Sequence, residues 1–208
     1  EEIYKYVEAW ERIEVYMKKF GDSFLDLYKE YRRDKIDDNI FDKKIENLFK
    51  NKIIPFNGLF KKEFCVNQEH FLREIKLSLF LKLKRTKEKI DIKNKFSDYE
   101  IKKNIETGFR GGFYTHFREV MNAEKRGHFD LTDEKRIANW YFIREFCYGG
   151  MFRFNNNGDF NVPYGGIAYN NKDFRSKVDY IFSDRVRGSL TSTRIGNVDF
   201  EVLFNSLD

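Results

Sequence analysis

Arg153, Asn155 and Asn161 sit at alternating positions of two short runs, Phe152-Arg-Phe-Asn155 and Phe160-Asn-Val-Pro163. A guanidinium and two amides spaced this way could hydrogen-bond the edges of bases in a nucleic-acid groove. Asn157-Gly158 lies between the runs, and that dipeptide favours positive φ at a tight turn. The spacing therefore predicts a β-hairpin with Phe152, Phe154, Phe160 and Val162 turned toward protein and the polar residues on the other face. Pro163 has no N–H to donate and suits the end of an edge strand. The wider stretch from Arg144 to Gly165 holds four of the thirteen glycines and one of the two prolines. By residue chemistry alone, the same hairpin could equally be a surface turn whose polar face meets water.

Such a hairpin needs a platform. Thr132-Asp-Glu reads as a cap with an acidic first turn, followed by Ile137, Trp140, Tyr141 and Phe146 as packing residues. That helix ends at Tyr148-Gly149, so the hairpin would be carried on a rigid element. Phe113 to Asn122 reads as a further helix with Phe113, Phe117 and Val120 inward, and Gly108 and the pair Gly111-Gly112 are expected to break the chain before it.

At the beginning of the chain, Ile3, Val7, Trp10, Ile13, Met17 and Phe20 recur at helical spacing, with Gly21 as the expected stop and Asp22 capping a second helix. Charge-dense residues from Arg32 to Asn51 place Ile36, Ile40, Ile45 and Leu48 on one face of a solvated helix. Ile53-Ile-Pro-Phe-Asn-Gly58 reads as a turn. Asn67 would cap a helix to about Lys84 with Phe71, Ile75, Leu79 and Leu83 on one side. The basic run Lys82–Lys89, with Lys93 and Lys95, reads as a solvated helix end in preference to a phosphate contact. Arg185 to Arg194 is basic, hydroxyl-rich and loop-like, and Val198–Phe204 alternates as a strand would.

Composition narrows the class. The chain has 208 residues, enough for one real core with a small appendage; 18% are aromatic, including 23 Phe, so apolar area is ample. A net charge of +5 suits a phosphate-facing surface without requiring one. Cys65 and Cys147 have no metal spacing and suggest no disulfide framework, and the three histidines are scattered, so a metal enzyme has little support. A reduced cytoplasmic setting is expected, with no membrane partner. The first residue is Glu and the chain ends abruptly on Asn205-Ser-Leu-Asp208, so both ends look cut from something longer.

The hairpin stretch, Tyr148-Gly-Gly-Met-Phe-Arg-Phe-Asn-Asn-Asn-Gly-Asp-Phe-Asn-Val-Pro-Tyr-Gly165, resembles the signature of Dam-type DNA adenine-N6 methyltransferases. That signature runs Tyr-Asn-Gly-Leu-x-Arg-Tyr/Phe-Asn-x-x-Gly-x-Phe-Asn-Val-Pro-Phe/Tyr-Gly, and the match is ungapped. Tyr114, Arg118 and Asn122 also match the family's Tyr-Tyr-x-x-Arg-x-x-Phe-Asn element. The resemblance covers Phe113–Gly165 clearly, and Ile3–Phe20 and Val198–Phe204 more weakly. It implies that Tyr148 inserts beside an extruded adenine and that Met151 wedges into the duplex. Arg153 would donate a bidentate pair to guanine, Pro163 would pack on a thymine methyl, and Asn155 and Arg118 would lie at the phosphate backbone. The chain departs from the pattern at Gly149, where Asn is usual, and at Gly166-Ile-Ala168, where a basic-aromatic triplet is frequent. A GATC-like target is therefore plausible by resemblance but not fixed.

Family members also carry a glycine loop for S-adenosylmethionine and an Asp-Pro-Pro-Tyr motif for the target amino group. Neither is present; with Pro55 and Pro163 as the two prolines, a Pro-Pro pair does not exist. The expected fold is mainly α with a small β-hairpin and a terminal strand, as the recognition region of a larger α/β, Rossmann-like methyltransferase. The expected divisions are 1–33, packing on the methyltransferase core; 34–105, an insertion; 106–166, target recognition; and 167–208, returning to the core. Implied partners are double-stranded DNA, the remaining methyltransferase core with its S-adenosylmethionine, and a cognate restriction endonuclease. The rival reading is a non-catalytic nucleic-acid-binding module derived from that family.

Overall fold

The computed structural model describes residues 1–53, 61–90, 96–194 and 196–205. Helix α1 spans Glu2–Arg32 without interruption. Gly21 does not stop it, because one glycine costs a helix only about 1 kcal/mol and the flanking Tyr16, Phe24, Leu25 and Tyr28 are buried on the same side. Asp37 caps α2, Asp38–Leu48, which runs into a π-helical turn at Phe49–Ile53. A single turn, α3, covers Lys62–Cys65, and α4 spans Gln68–Ile90. The expected cap of α4 is present, with Asn67 accepting from the backbone N–H of His70 at 3.0 Å. Most of the turn expected at Ile53–Gly58 lies outside the described residues, as do Lys93 and Lys95.

Helix α5, Asp98–Lys125, is the spine of the first unit. It opens on a capping box between Ser97 and Glu100 and passes straight through Gly108, Gly111 and Gly112. These glycines do not break the chain; two of them let α4 lie against it. A Cβ on Gly112 would fall 2.4 Å from the Cα of Ile75, and one on Gly108 would fall 2.9 Å from the Cα of Leu79. Gly112→Ala should therefore push two packed helices apart and lower stability by about 1–3 kcal/mol, which a urea denaturation midpoint will read. The same change at Gly21, where an added Cβ meets nothing within 4 Å, should stabilise by a few tenths to about 1 kcal/mol.

Helix α6, Asp133–Phe146, starts on the expected Thr132 cap. Aromatic rings fill the space among α1, α5 and α6. Trp10 lies 4.1 Å from Phe146 and 5.8 Å from Phe113 between ring centres, and Tyr6 lies 4.8 Å from Phe117. Edge-to-face and tilted contacts of this kind contribute beyond the area they bury. Two cations of the basic run at the end of α4 are engaged by protein. Lys84 pairs with Asp38 at 2.5 Å, and Lys87 reaches Asp34 at 2.6 Å and the Tyr31 carbonyl at 2.9 Å.

Two sequence expectations are corrected here. Among the described residues there is no strand or sheet. The stretch expected to form a hairpin has two isolated antiparallel bridges, Cys147 with Tyr164 and Phe154 with Phe160. Asn155 N–H donates to the Asp159 carbonyl and Asn161 N–H to the Arg153 carbonyl across the arms, while the backbone groups of Phe160 and the Val162 carbonyl bond to α5 side chains, and no continuous ladder forms. The expected strand Val198–Phe204 contains a short helix, Phe200–Phe204, whose first turn is capped by Asp199 accepting from the N–H of Glu201 at 2.9 Å. Seven alternating residues do not make a strand without a neighbour to complete the backbone bonds.

The short helix belongs to a second compact unit, residues 173–208, the first being Glu1–Lys172. The second unit contains α7, Phe174–Ile181, α8, Asp184–Thr191, and the Phe200–Phe204 helix, α9. The stretch read as a basic loop is mostly α8, started by Ser183 accepting from the N–H of Val186. No helix among the described residues is long and apolar enough to cross a membrane.

Candidate nucleic-acid interface

The stretch between Cys147 and Gly165 is a protruding loop closed at its base by backbone bonds. Tyr148 N–H donates to the Pro163 carbonyl at 2.8 Å, and Gly165 N–H to the Phe146 carbonyl at 3.0 Å. Tyr148–Gly150 forms a 3-10 turn after α6, and Gly149 has φ +63°. That left-handed conformation suits Gly or Asn, which accounts for glycine standing where the resemblance has asparagine.

At the tip, Asn155 closes the turn on itself. Its side-chain oxygen accepts from Asn157 N–H at 3.0 Å and Asp159 N–H at 2.9 Å, while its own N–H donates to the Asp159 carbonyl at 2.9 Å. The Asn155 oxygen is therefore engaged locally, as a polar side chain at a turn commonly is.

The returning arm is held by one face of α5. Lys125 Nζ donates to the Gly158 carbonyl at 2.6 Å. Asn122, buried, donates to the Phe160 carbonyl at 3.1 Å and accepts from the Phe160 N–H at 2.8 Å. The Tyr114 hydroxyl and Arg118 Nη1 both donate to the Val162 carbonyl, at 2.9 and 3.2 Å. Residues 114, 118, 122 and 125 recur once per helical turn, and they meet loop carbonyls at every second residue, 158, 160 and 162. Burial pushes the Tyr114 hydroxyl well above its ordinary pKa, so it stays a donor. Motif spacing marks Tyr114, Arg118 and Asn122 in the sequence; nothing there reveals their partners, which lie 38–48 residues away.

This anchoring turns Phe160 and Val162 inward, where both are buried, as expected from the alternation. Phe152 and Phe154 do not follow. They are 45% and 50% exposed, Phe152 lying against Trp140 at 5.6 Å and Phe154 beneath the Lys125 ammonium at 5.0 Å. Both rings still lean on Phe160, at 5.3 and 5.6 Å between ring centres, but at the rim of the packing where water reaches them.

The structure brings five of the six expected contact residues to one loop. Tyr148 and Met151 are 56% and 44% exposed, and Arg153, Asn155 and Pro163 are exposed as well. Arg153 Nε donates to Asn161 Oδ1 at 3.2 Å. Arg118 differs: it is half-buried on α5, with one nitrogen on the Val162 carbonyl and a buried Nε without a protein acceptor. Beside it opens a cleft of about 600 Å³ between α4 and α5, lined by His70, His116, Arg118 and Glu119 among others. No group of three or more His, Cys, Asp or Glu among the described residues could hold a metal ion. Nor do the glycines near α5 offer a cofactor loop, since they are buried within the helix. Cys147 is buried and its thiol is pushed above its ordinary pKa by that burial, so it is a poor nucleophile. The loop thus exposes a guanidinium, amides, a phenol ring and a thioether, groups that hydrogen-bond or stack.

Residues 73–205 match the family model for D12 class N6 adenine-specific DNA methyltransferases. The chain is also 33% identical over 103 residues to the type II methyltransferase M.MjaIII of Methanocaldococcus jannaschii, a match covering 48% of this chain and 32% of that protein. It is 33% identical over 111 residues to the type II methyltransferase M.CviBI of Paramecium bursaria Chlorella virus NC1A, covering 43% of this chain and 40% of that protein. The match thus spans well under half the length of either curated relative. No solved structure matches.

Proposed function

Because this chain belongs to the D12 class N6 adenine-specific DNA methyltransferases, we propose that its loop 148–165 reads the target site for a protein that methylates adenine in duplex DNA. The observation that carries this reading is Arg153. It is exposed on a loop anchored to α5, with Nε held by Asn161, leaving its terminal nitrogens to face a guanine edge as a bidentate pair. Tyr148 occupies the space left by the flipped adenine, and Met151 wedges the neighbouring step. Pro163 lies against a thymine methyl, and Asn155 offers its amide nitrogen to a phosphate. Arg118 completes the backbone contact from α5. The methyl donor, S-adenosylmethionine, supplies an activated methyl group and is held outside these residues, which make no site for it. The residues present therefore bind, orient and extrude the base; they do not transfer the methyl group.

The test is transfer of labelled methyl from S-adenosylmethionine to duplex DNA by the intact protein, sequenced for the modified site. We expect adenine N6 to be labelled at a defined sequence. Arg153→Ala should relax the choice of one base pair by about 1–3 kcal/mol, or roughly five- to 150-fold. Identical ranking of sequence-variant duplexes by wild type and variant would remove Arg153 from the base contacts.

A further inference from the structure

We infer that Asn122 and Asn161 are positioning residues that set the aim of Arg153, so that a buried side chain on α5 determines which base the loop reads. The inference rests on the reading of Arg153 as a base contact. Asn122 grips both backbone groups of Phe160, donating at 3.1 Å and accepting at 2.8 Å. A buried amide that satisfies an N–H and a C=O of one residue fixes both the height and the rotation of that residue. Val162 is fixed from the same helix by Tyr114 and Arg118. With Phe160 and Val162 both held inward, Asn161 between them has its side chain turned to the opposite face. There its Oδ1 accepts from Arg153 Nε at 3.2 Å, and its N–H donates to the Arg153 carbonyl at 3.3 Å.

A guanidinium is planar, so holding Nε orients the two terminal nitrogens together. Arg153 has five donors and needs two in one plane to distinguish guanine. An arginine with no second anchor would sample many rotamers and pay that entropy on binding. The chain of contacts therefore runs from α5 through the Phe160 backbone and the Asn161 amide to the reading atoms. It predicts a separation of two quantities. Affinity for DNA of any sequence comes from phosphates and stays, whereas discrimination at one base pair falls.

The experiment uses the intact protein and a pool of short duplexes randomised at their centre, with bound duplexes recovered and sequenced. Retention of a single fixed-sequence duplex over a salt series is measured alongside. Wild type, Arg153→Ala, Asn161→Ala and Asn122→Ala are compared. We expect Asn161→Ala and Asn122→Ala to reduce preference by about two- to tenfold, the worth of a hydrogen bond, at the same base pair that Arg153→Ala flattens, with an unchanged salt slope. Asn122→Asp, which keeps an acceptor for Phe160 N–H but sets a buried carboxylate oxygen against the Phe160 carbonyl, should lose at least as much as alanine. If Arg153→Ala flattens a base pair but Asn161→Ala leaves it sharp, the positioning role is overturned and the reading of Arg153 stands. If Arg153→Ala flattens nothing, both fall. Should Asn122→Ala fail to fold, the half-exposed Asn161 decides the question alone.

Discussion

Glu106→Ala should cost the first unit about 3–5 kcal/mol, the range for breaking a buried ion pair by removing one partner. Glu106 and Arg110 are 6% and 3% exposed and meet at 2.8 Å within one face of α5. Arg110 reaches further, donating from Nη1 to the Trp10 carbonyl at 3.1 Å and lying 4.3 Å over the Trp10 ring. Removing the carboxylate leaves a guanidinium that has no water to return to. The pair itself need not stabilise the fold, since its desolvation offsets most of the attraction. Hence Glu106→Ala combined with Arg110→Met should recover much of the loss, and Glu106→Gln, which keeps an acceptor, should lose less than alanine. Urea denaturation of the wild type and these three variants at neutral pH measures the losses. Equal losses for the single and double replacements would show that helix packing at this spot, and not an orphaned charge, controls stability. The outcome matters for the site because Trp10 packs on Phe146, the last residue of α6 before the loop 148–165 begins.

The elements that depend on nearby residues were legible. The 3.6-residue spacing of Ile3, Val7, Trp10 and Ile13 gives α1, and the short polar caps at Asn67 and Thr132 give the starts of α4 and α6. Gly111 and Gly112 were read as a break because glycine punctuates an isolated chain. Only the approach of α4, to 2.4 Å from a missing Cβ, gives Gly112 its other meaning, and that approach is made by residues nearly forty positions earlier. Val198–Phe204 has the period of a strand, but period does not supply a partner.

The loop 148–165 shows the same division. Its exposed residues, Tyr148, Met151, Arg153, Asn155 and Pro163, could be named from their order because a continuous motif carries them. Of its support, Tyr114, Arg118 and Asn122 are marked by motif spacing, but their partners are not. Lys125, Asn122, Arg118 and Tyr114 contact carbonyls, and every residue has a carbonyl, so sequence holds no mark of which one is chosen. The hairpin does not extend into a ladder: two backbone bonds join the arms near the tip, and the remaining groups of Phe160 and Val162 are satisfied by a helix.

Acid should weaken the first unit well before its carboxylates protonate, through the histidine pair linking α4 to α5. His116 is fully buried; its Nε2 lies 2.7 Å from the Cys65 carbonyl and its Nδ1 lies 2.8 Å from Nδ1 of His70. A carbonyl only accepts, so His116 carries its proton on Nε2 and receives a hydrogen bond from His70 at Nδ1. Protonating His116 would place two N–H groups head to head in a dry site. Burial accordingly pulls its pKa down to about 3, against the carbonyl, which raises it, and with a further lowering by His70. His70 is lowered as well, chiefly by burial. Glu74, at 3.6 Å from its Nε2, and Glu119 work in the opposite sense, and Arg73 adds to the lowering.

The sign follows from which state takes up protons. The unfolded chain protonates near pH 6.5, whereas folded His116 does so only near pH 3. Its contribution is thus complete above pH 6.5 and is lost as pH falls toward 3. Between pH 6.5 and 5 the loss from this residue alone is about 2 kcal/mol. Carboxylates held below their usual range, such as Glu14, Glu46 and Asp38, lose their contribution only as pH drops through about 4 and below, outside this window. Urea midpoints at pH 7, 6 and 5 should therefore decline for the wild type and decline less for His116→Gln, which keeps a donor for the Cys65 carbonyl and leaves His70 as the titrating member of the pair. Parallel declines in the two proteins would place the acid sensitivity elsewhere. If instead the His116→Gln profile is the shallower one, the α4–α5 contact beside Arg118 loosens in acid, and retention of DNA by the intact protein at pH 5 should weaken in the wild type more than in the variant.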